Sequence, residues 1–85
     1  MEVEREVLHV LDEVLSLNGR GLNFGRNTHL LGAVPELDSM AVVALVTSLE
    51  ERFAIAIDDD DIDGQTFASV GSLSDFVRDK LSAAA

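Results

Sequence analysis

Apolar residues recur every three or four positions in three separate segments, and this spacing constrains the fold more than any other feature of the sequence. It predicts amphipathic helices over residues 1–17, 38–53 and 72–82. No alternation of apolar and polar residues is longer than the four positions 54–57, which argues against a sheet. The pattern therefore predicts an all-α fold, built as a single domain over residues 1–85.

The connections between these helices carry their own signals. Residues 18–37 contain several glycines and no sustained period, which predicts a long loop. We expect four of its apolar side chains to attach the loop to the core, namely Leu22, Phe24, Leu30 and Leu31. Residues 58–66 predict an acidic loop with a short helix, so the fold is expected to be a four-helix bundle with three main helices. Asp38 or Ser39 is expected to cap the second main helix, and Ser72 with Asp75 to form a capping box for the last.

The charge of the chain limits its partners. Sixteen Asp and Glu residues against six Lys and Arg residues give a formal net charge of −10. This charge opposes binding to nucleic acids and anionic lipids and favours basic protein surfaces. No apolar run approaches the roughly 20 residues of a membrane span, and the acidic start lacks the features of a secretory signal. We therefore expect a cytoplasmic protein that has protein partners and binds neither nucleic acid nor membrane.

The helix predicted over residues 38–53 carries two apolar stripes. One face holds the residues expected in the core, which are Val42, Leu45, Val46, Leu49 and Phe53. The opposite face holds Met40, Val43, Ala44 and Thr47, with Glu50 and Glu51 beside them. Three interpretations are possible. The stripe consists of scattered exposed apolar residues, the helix is buried on all sides, or the stripe is a surface that binds partners. Because so small a domain has few elements to cover both faces, we expect a partner-binding surface.

A serine hydrolase is one alternative to this interpretation. A serine hydrolase needs a base and an oxyanion hole around its serine, yet the chain has no Gly-x-Ser-x-Gly motif and only His9 and His29 as candidate bases. The sequence therefore predicts a protein that is not an enzyme.

A divalent-cation module is the second alternative. The spacing of Asp59, Asp61, Asp63 and Gly64 matches the opening of an EF-hand loop, but position twelve is Val70 instead of glutamate. High-affinity calcium binding is disfavoured. These three aspartates stay weak candidates for loose divalent-cation binding, beside the simpler interpretation of a solvated acidic loop.

The segment Glu36-Leu37-Asp38-Ser39-Met40, followed by Leu49-Glu50-Glu51 and Phe53, resembles the acyl carrier protein family. The resemblance extends over nearly the whole chain. It implies a four-helix bundle with a long first loop, in which Ser39 bears a covalent 4′-phosphopantetheine arm derived from coenzyme A and Asp38 is its motif neighbour. It also implies a non-catalytic carrier that holds an acyl group as a thioester on the arm.

The same resemblance implies the partners. These are a phosphopantetheinyl transferase and enzymes that load and process acyl groups through basic or mixed apolar docking patches, acting on a monomeric carrier. Ala41 and Ala44 stand where carriers of bacterial fatty-acid synthesis typically have acids, and Arg52 lies beside the retained Glu50 and Glu51. This departure favours a specialised lipid, polyketide or related pathway. An acidic helical adaptor that binds partners non-covalently stays open as an alternative.

Overall fold

The computed structural model describes residues 3–84, and for Asp59 and Ala84 it describes the backbone alone. Within this range the chain forms three α-helices, which are α1 (Val3–Val14), α2 (Ser39–Phe53) and α3 (Val70–Ala84). Two 3₁₀ helices lie in the connections, at Arg20–Asn23 and Asp59–Asp61. The predicted all-α class is confirmed, since the described range holds only an isolated bridge between His29 and Ser69. The four-helix count is not confirmed, because the short helix predicted within residues 58–66 is a single 3₁₀ turn.

Helix α1 is shorter than the predicted span of 1–17. Ser16 adopts a left-handed conformation with φ 54°, and the Leu17 N–H donates to the Asp12 carbonyl oxygen at 3.0 Å. Leu17 directly follows the left-handed residue, and its bond is typical of the Schellman motif. This motif ends a helix by satisfying its last carbonyl groups. Helix α1 therefore ends at Val14, while residues 1 and 2 lie outside the described residues.

Helix α3 begins two residues before the predicted start. The Ser69 hydroxyl accepts a hydrogen bond from the Ser72 N–H at 3.2 Å, and the Ser72 hydroxyl accepts one from the Ser69 N–H at 3.0 Å. These reciprocal bonds form a capping box between Ser69 and Ser72. The prediction of a capping box formed by Ser72 and Asp75, one turn later, is therefore wrong. Asp75 instead accepts a hydrogen bond from Arg26 at 2.9 Å.

All three helices contribute to one core. The predicted inner face of α2 is confirmed at four positions by burial, and Val42 packs partly against the same cluster. The largest fully buried side chains come from each helix and from the long loop, and include Leu11, Leu17, Leu30, Leu45, Leu49 and Leu73. No helix among residues 3–84 combines the length and the apolar character needed to cross a membrane.

The loop between α1 and α2 is attached to the residues just before α3 by backbone hydrogen bonds. The Leu30 N–H donates to the Ala68 carbonyl at 2.9 Å, and the Leu31 N–H donates to the Phe67 carbonyl at 3.0 Å. Leu30 is fully buried and Phe24 half-buried, as expected. Leu22 and Leu31, however, are each 46% exposed, so the expectation that they join the core is wrong. The backbone pairing already fixes this loop, and those two side chains are left at the surface.

Candidate functional site

Ser39 is the first residue of α2, and its neighbour Asp38 caps the helix. Asp38 has extended backbone angles, and its Oδ1 accepts a hydrogen bond from the Ala41 N–H at 2.8 Å. An aspartate in this position satisfies one of the unpaired donors of the first helical turn. Of the two predicted caps, Asp38 is therefore the one used, and the exposed Ser39 hydroxyl has no hydrogen-bond partner among residues 3–84.

The segment before Ser39 is anchored on both sides. Leu37 is 6% exposed and packs in the core, and its N–H donates to the Val34 carbonyl at 3.0 Å. Glu36 binds Arg20 of the first 3₁₀ helix at 2.8 Å, and this hydrogen bond from the guanidinium lowers the pKa of the Glu36 carboxyl. Ser39 is thus presented from a fixed position, although its own side chain is exposed.

The start of α2 suits an attached phosphate. The N–H groups of Ser39 and Met40 have no acceptor among the described residues, and no acidic residue lies in the first turn of the helix. Unpaired N–H groups and the helix dipole give a helix N-terminus a partial positive charge, which favours a phosphodiester. These residues can therefore hold a phosphorylated group on the Ser39 oxygen.

The second stripe of α2 is exposed. Met40 is 83% exposed and Val43 67% exposed, and Ala44, Thr47 and Glu51 are exposed as well. We call these five residues the outer face of α2. Burial of α2 on all sides is thereby excluded, and the outer face starts next to Ser39.

Comparisons with known proteins agree with this arrangement. The family model for the phosphopantetheine attachment site matches residues 5–77. The chain belongs to this family. It is 48% identical to the holo acyl carrier protein of Nitrosomonas europaea, whose solution NMR structure superimposes with a TM-score of 0.89 over 96% of this chain and 99% of that one. No curated protein matches the chain.

The resemblance to acyl carrier proteins is therefore confirmed. The chain is a non-catalytic carrier that bears a covalently attached 4′-phosphopantetheine. Neither His9 nor His29 forms a hydrogen bond with Ser39 in the part of the carrier that the structure describes.

Two charged residues near the end of α2 form contacts within the fold and do not belong to the outer face of α2. Glu50 is half-buried, and its Oε2 accepts a hydrogen bond from the Ile57 N–H at 2.9 Å, so this side chain holds the segment that follows the helix. The Arg52 Nε donates to Glu6 of α1 at 2.7 Å. Arg52 is thus committed to α1, and Glu51 supplies the carboxylate of the outer face.

The acidic segment of the carrier uses its carboxylates within the fold. The Lys80 Nζ binds the Asp61 Oδ2 at 2.5 Å, and this contact lowers the pKa of Asp61. Asp63 accepts hydrogen bonds from the N–H and hydroxyl of Thr66, at 2.8 and 3.0 Å, which lower its pKa. Among the described side chains, no three His, Asp or Glu residues are grouped to hold a metal ion, and the side chain of Asp59 lies outside them.

Three features of the site have no signal in the sequence. The ion pair of Arg20 with Glu36 spans 16 positions, that of Lys80 with Asp61 spans 19, and that of Arg52 with Glu6 spans 46. Each depends on how the helices pack, and no spacing rule joins residues so far apart. The sequence also contains no sign that Glu50 accepts a hydrogen bond from the Ile57 N–H. This bond depends on the left-handed conformation of Ala54, which lets the chain turn back after α2.

Proposed function

We propose that Ser39 carries the 4′-phosphopantetheine arm and that the protein delivers acyl intermediates, bound as thioesters, to partner enzymes of a specialised lipid, polyketide or related pathway. The observation that carries the first part is the Ser39 hydroxyl, which is exposed at the start of α2 and has no acceptor or donor among residues 3–84. Its oxygen is therefore available to form the ester bond to phosphorus.

Each residue around Ser39 has a defined role in this proposal. Asp38 accepts the Ala41 N–H and so relieves Ser39 of the capping function. The N–H groups of Ser39 and Met40 stabilise the negative charge of the phosphodiester. When attached, the arm supplies a terminal thiol for the thioester, which explains how a chain without cysteine serves as an acyl carrier.

Intact mass spectrometry tests the attachment site. The chain is incubated with coenzyme A, magnesium and a phosphopantetheinyl transferase of broad specificity, and we expect one phosphopantetheinyl group per molecule. Ser39→Ala should abolish the addition, whereas Ser82→Ala, at another exposed serine, should leave it complete. Full modification of Ser39→Ala would show that another residue carries the arm.

We further propose that partner enzymes, including the transferase, dock on the outer face of α2. The face begins one residue after Ser39 and offers two large exposed apolar side chains, Met40 and Val43, with Glu51 as its carboxylate. Burial of one aliphatic side chain contributes about 1.5 kcal/mol or more, so Val43→Asp should lower kcat/KM of the transferase at least about tenfold. The matched control is Ala56→Asp, which adds the same charge at an exposed position outside α2. Equal loss in both variants would refute docking on this face.

The proposed pathway rests on the composition of this face. Its first two turns contribute Met40, Val43 and Ala44 to the surface, so contact there is mainly apolar and should weaken little with added salt. The assay measures how well enzymes of bacterial fatty-acid synthesis use the acylated carrier. Use as efficient as that of their own carrier, with an affinity that falls steeply as salt is added, would contradict the specialised pathway. The cytoplasmic location stays a prediction from the sequence.

One variant distinguishes acyl transfer by the carrier from non-covalent adaptor binding, which is only an additional role in a chain of the carrier family. Both interpretations use the exposed outer face of α2. An adaptor binds its partners equally well after Ser39→Ala, and partner-dependent activity is preserved. A carrier retains docking after this substitution but transfers no acyl group.

A further inference from the structure

A second surface feature lies on α1, and no residue of α2 is among those that line it. There, α1 and the first 3₁₀ helix border an open groove of about 420 Å³. Its lining consists of Glu4, Arg5, Leu8, His9 and Leu22. Leu8 is buried and Leu22 is 46% exposed, so the groove combines an apolar surface with a polar rim.

Arg5 is the unusual member of this lining. Each of the other five cations of the chain contacts a carboxylate: Arg20 with Glu36, Arg26 with Glu4 and Asp75, Arg52 with Glu6, Arg78 with Asp75, and Lys80 with Asp61. Arg5 is exposed and has no such partner among residues 3–84, although the chain holds sixteen acids. The adjacent Glu4 is paired with Arg26 instead, and the distance between the Arg26 Nη1 and the Glu4 Oε1 is 3.6 Å. The guanidinium of Arg5 is therefore free to bind a carboxylate from another molecule.

We infer that this groove binds a protein segment that presents a carboxylate next to an aliphatic side chain. A guanidinium binds a carboxylate through two parallel hydrogen bonds, and the neighbouring Leu8 and Leu22 accept the aliphatic group. Ser39 is not among the residues that line the groove, so the inferred contact does not use the proposed attachment site.

The shape and the charge favour a protein segment over a small ligand. Small-molecule sites bury most of the ligand surface, whereas Arg5 and Leu22 lie open to solvent. A simple inorganic anion is repelled by the net charge of −10 and has no apolar part, whereas a segment with an aliphatic side chain beside its carboxylate also contacts Leu8 and Leu22. A partner with a mainly basic surface is attracted by that charge, and one carboxylate at the edge of its surface fixes its orientation by pairing with Arg5.

Titration of the ¹⁵N-labelled chain without its arm tests the groove. The probe is the capped tripeptide leucyl-glutamyl-leucine amide, and its controls carry glutamine or lysine in the central position. We expect saturable amide shifts in residues 4–9 and 19–23, with at least threefold weaker binding of the glutamine peptide and weaker binding still of the lysine peptide. Equal binding of the three peptides, preference for lysine, or no saturable shift overturns the inference.

Variants locate the contact. Arg5→Gln and Leu22→Ser should each weaken binding of the glutamyl peptide at least threefold, because both side chains are exposed and their replacement leaves the core intact. Arg78→Gln removes the same charge from α3 and should change binding less than twofold. Val43→Ser on the outer face of α2 should also leave binding unchanged. Shifts that move to residues 40–51, or equal losses in Arg5→Gln and Arg78→Gln, would refute the assignment, and the outcome is independent of the modification of Ser39.

Discussion

Ser74 is a buried hydroxyl in the core of the carrier, and its removal should stabilise the fold. The residue lies in α3 among Val70, Leu73 and Val77, and all four are fully buried. Its Oγ has no hydrogen-bond partner among the described residues. The stripe at positions 70, 73, 74 and 77 has helical spacing, so Ser74 occupies a position that an apolar residue can fill.

The size of the effect follows from three contributions. A buried hydroxyl without a partner costs about 1–3 kcal/mol. The void left by its oxygen, roughly 12 Å³, costs about 0.3 kcal/mol on replacement by alanine. Alanine also gains about 0.5 kcal/mol over serine in a helix. Ser82→Ala, at an exposed position of the same helix, shares only this last gain.

We therefore expect the free energy of unfolding of Ser74→Ala to exceed that of Ser82→Ala by about 0.7–2.7 kcal/mol. Urea denaturation followed by far-UV circular dichroism measures this difference. For a domain of this size, 1 kcal/mol corresponds to roughly 4–8 °C in Tm, so thermal unfolding provides a second measurement. A Ser74→Ala variant no more stable than Ser82→Ala would show that the hydroxyl is hydrogen-bonded in solution, and it would refute the reasoning.

Three further predictions concern the helix ends and acid stability. Asp38→Ala should lower the free energy of unfolding by about 1 kcal/mol because α2 loses its cap, whereas Asp38→Asn should retain most of it in the same urea titration. Ala54, which ends α2 with φ 55°, is strained in the left-handed region, so Ala54→Gly should stabilise by about 0.5–1 kcal/mol, in contrast to Ala56→Gly, which should destabilise. Arg26 lowers the pKa of Asp75 below its ordinary 3.8, first through a hydrogen bond and then through its charge. The stabilisation by this pair is therefore complete above that ordinary value and is lost as the pH falls through the lowered pKa, so Asp75→Asn should lose less stability on acidification, and an unchanged acid transition would contradict this account.

The fold could be predicted well where local spacing decides it. The inner face of α2 is a repeat of apolar residues at helical intervals, and Leu45, Leu49 and Phe53 are buried as that repeat predicts. Helix ends were predicted less well, because several polar residues compete for each cap. At α3 the pair of Ser69 and Ser72 satisfies two N–H groups at once, and Asp75 is drawn to Arg26 instead.

The candidate site shows the same division between local and distant interactions. Asp38, Ser39 and Met40 are adjacent in sequence, and together with the pattern of the helix that follows they carried the family resemblance from which the attachment point was proposed. Glu50 was predicted beside the outer face, yet it binds the Ile57 N–H. That bond requires the chain to turn back after Ala54, and the sequence pattern of α2 contains no information on this turn.

The sequence by itself determined the helical class, the two faces of α2 and the serine at its start, because helical periodicity and capping depend on residues within one or two turns. Only the tertiary structure decided which charges are committed inside the fold and which stay available. It pairs Arg52 with Glu6 and Lys80 with Asp61, and it leaves Arg5 and the outer face of α2 exposed. Such pairings join residues distant in sequence, so they follow from the packing of the helices and not from any local pattern.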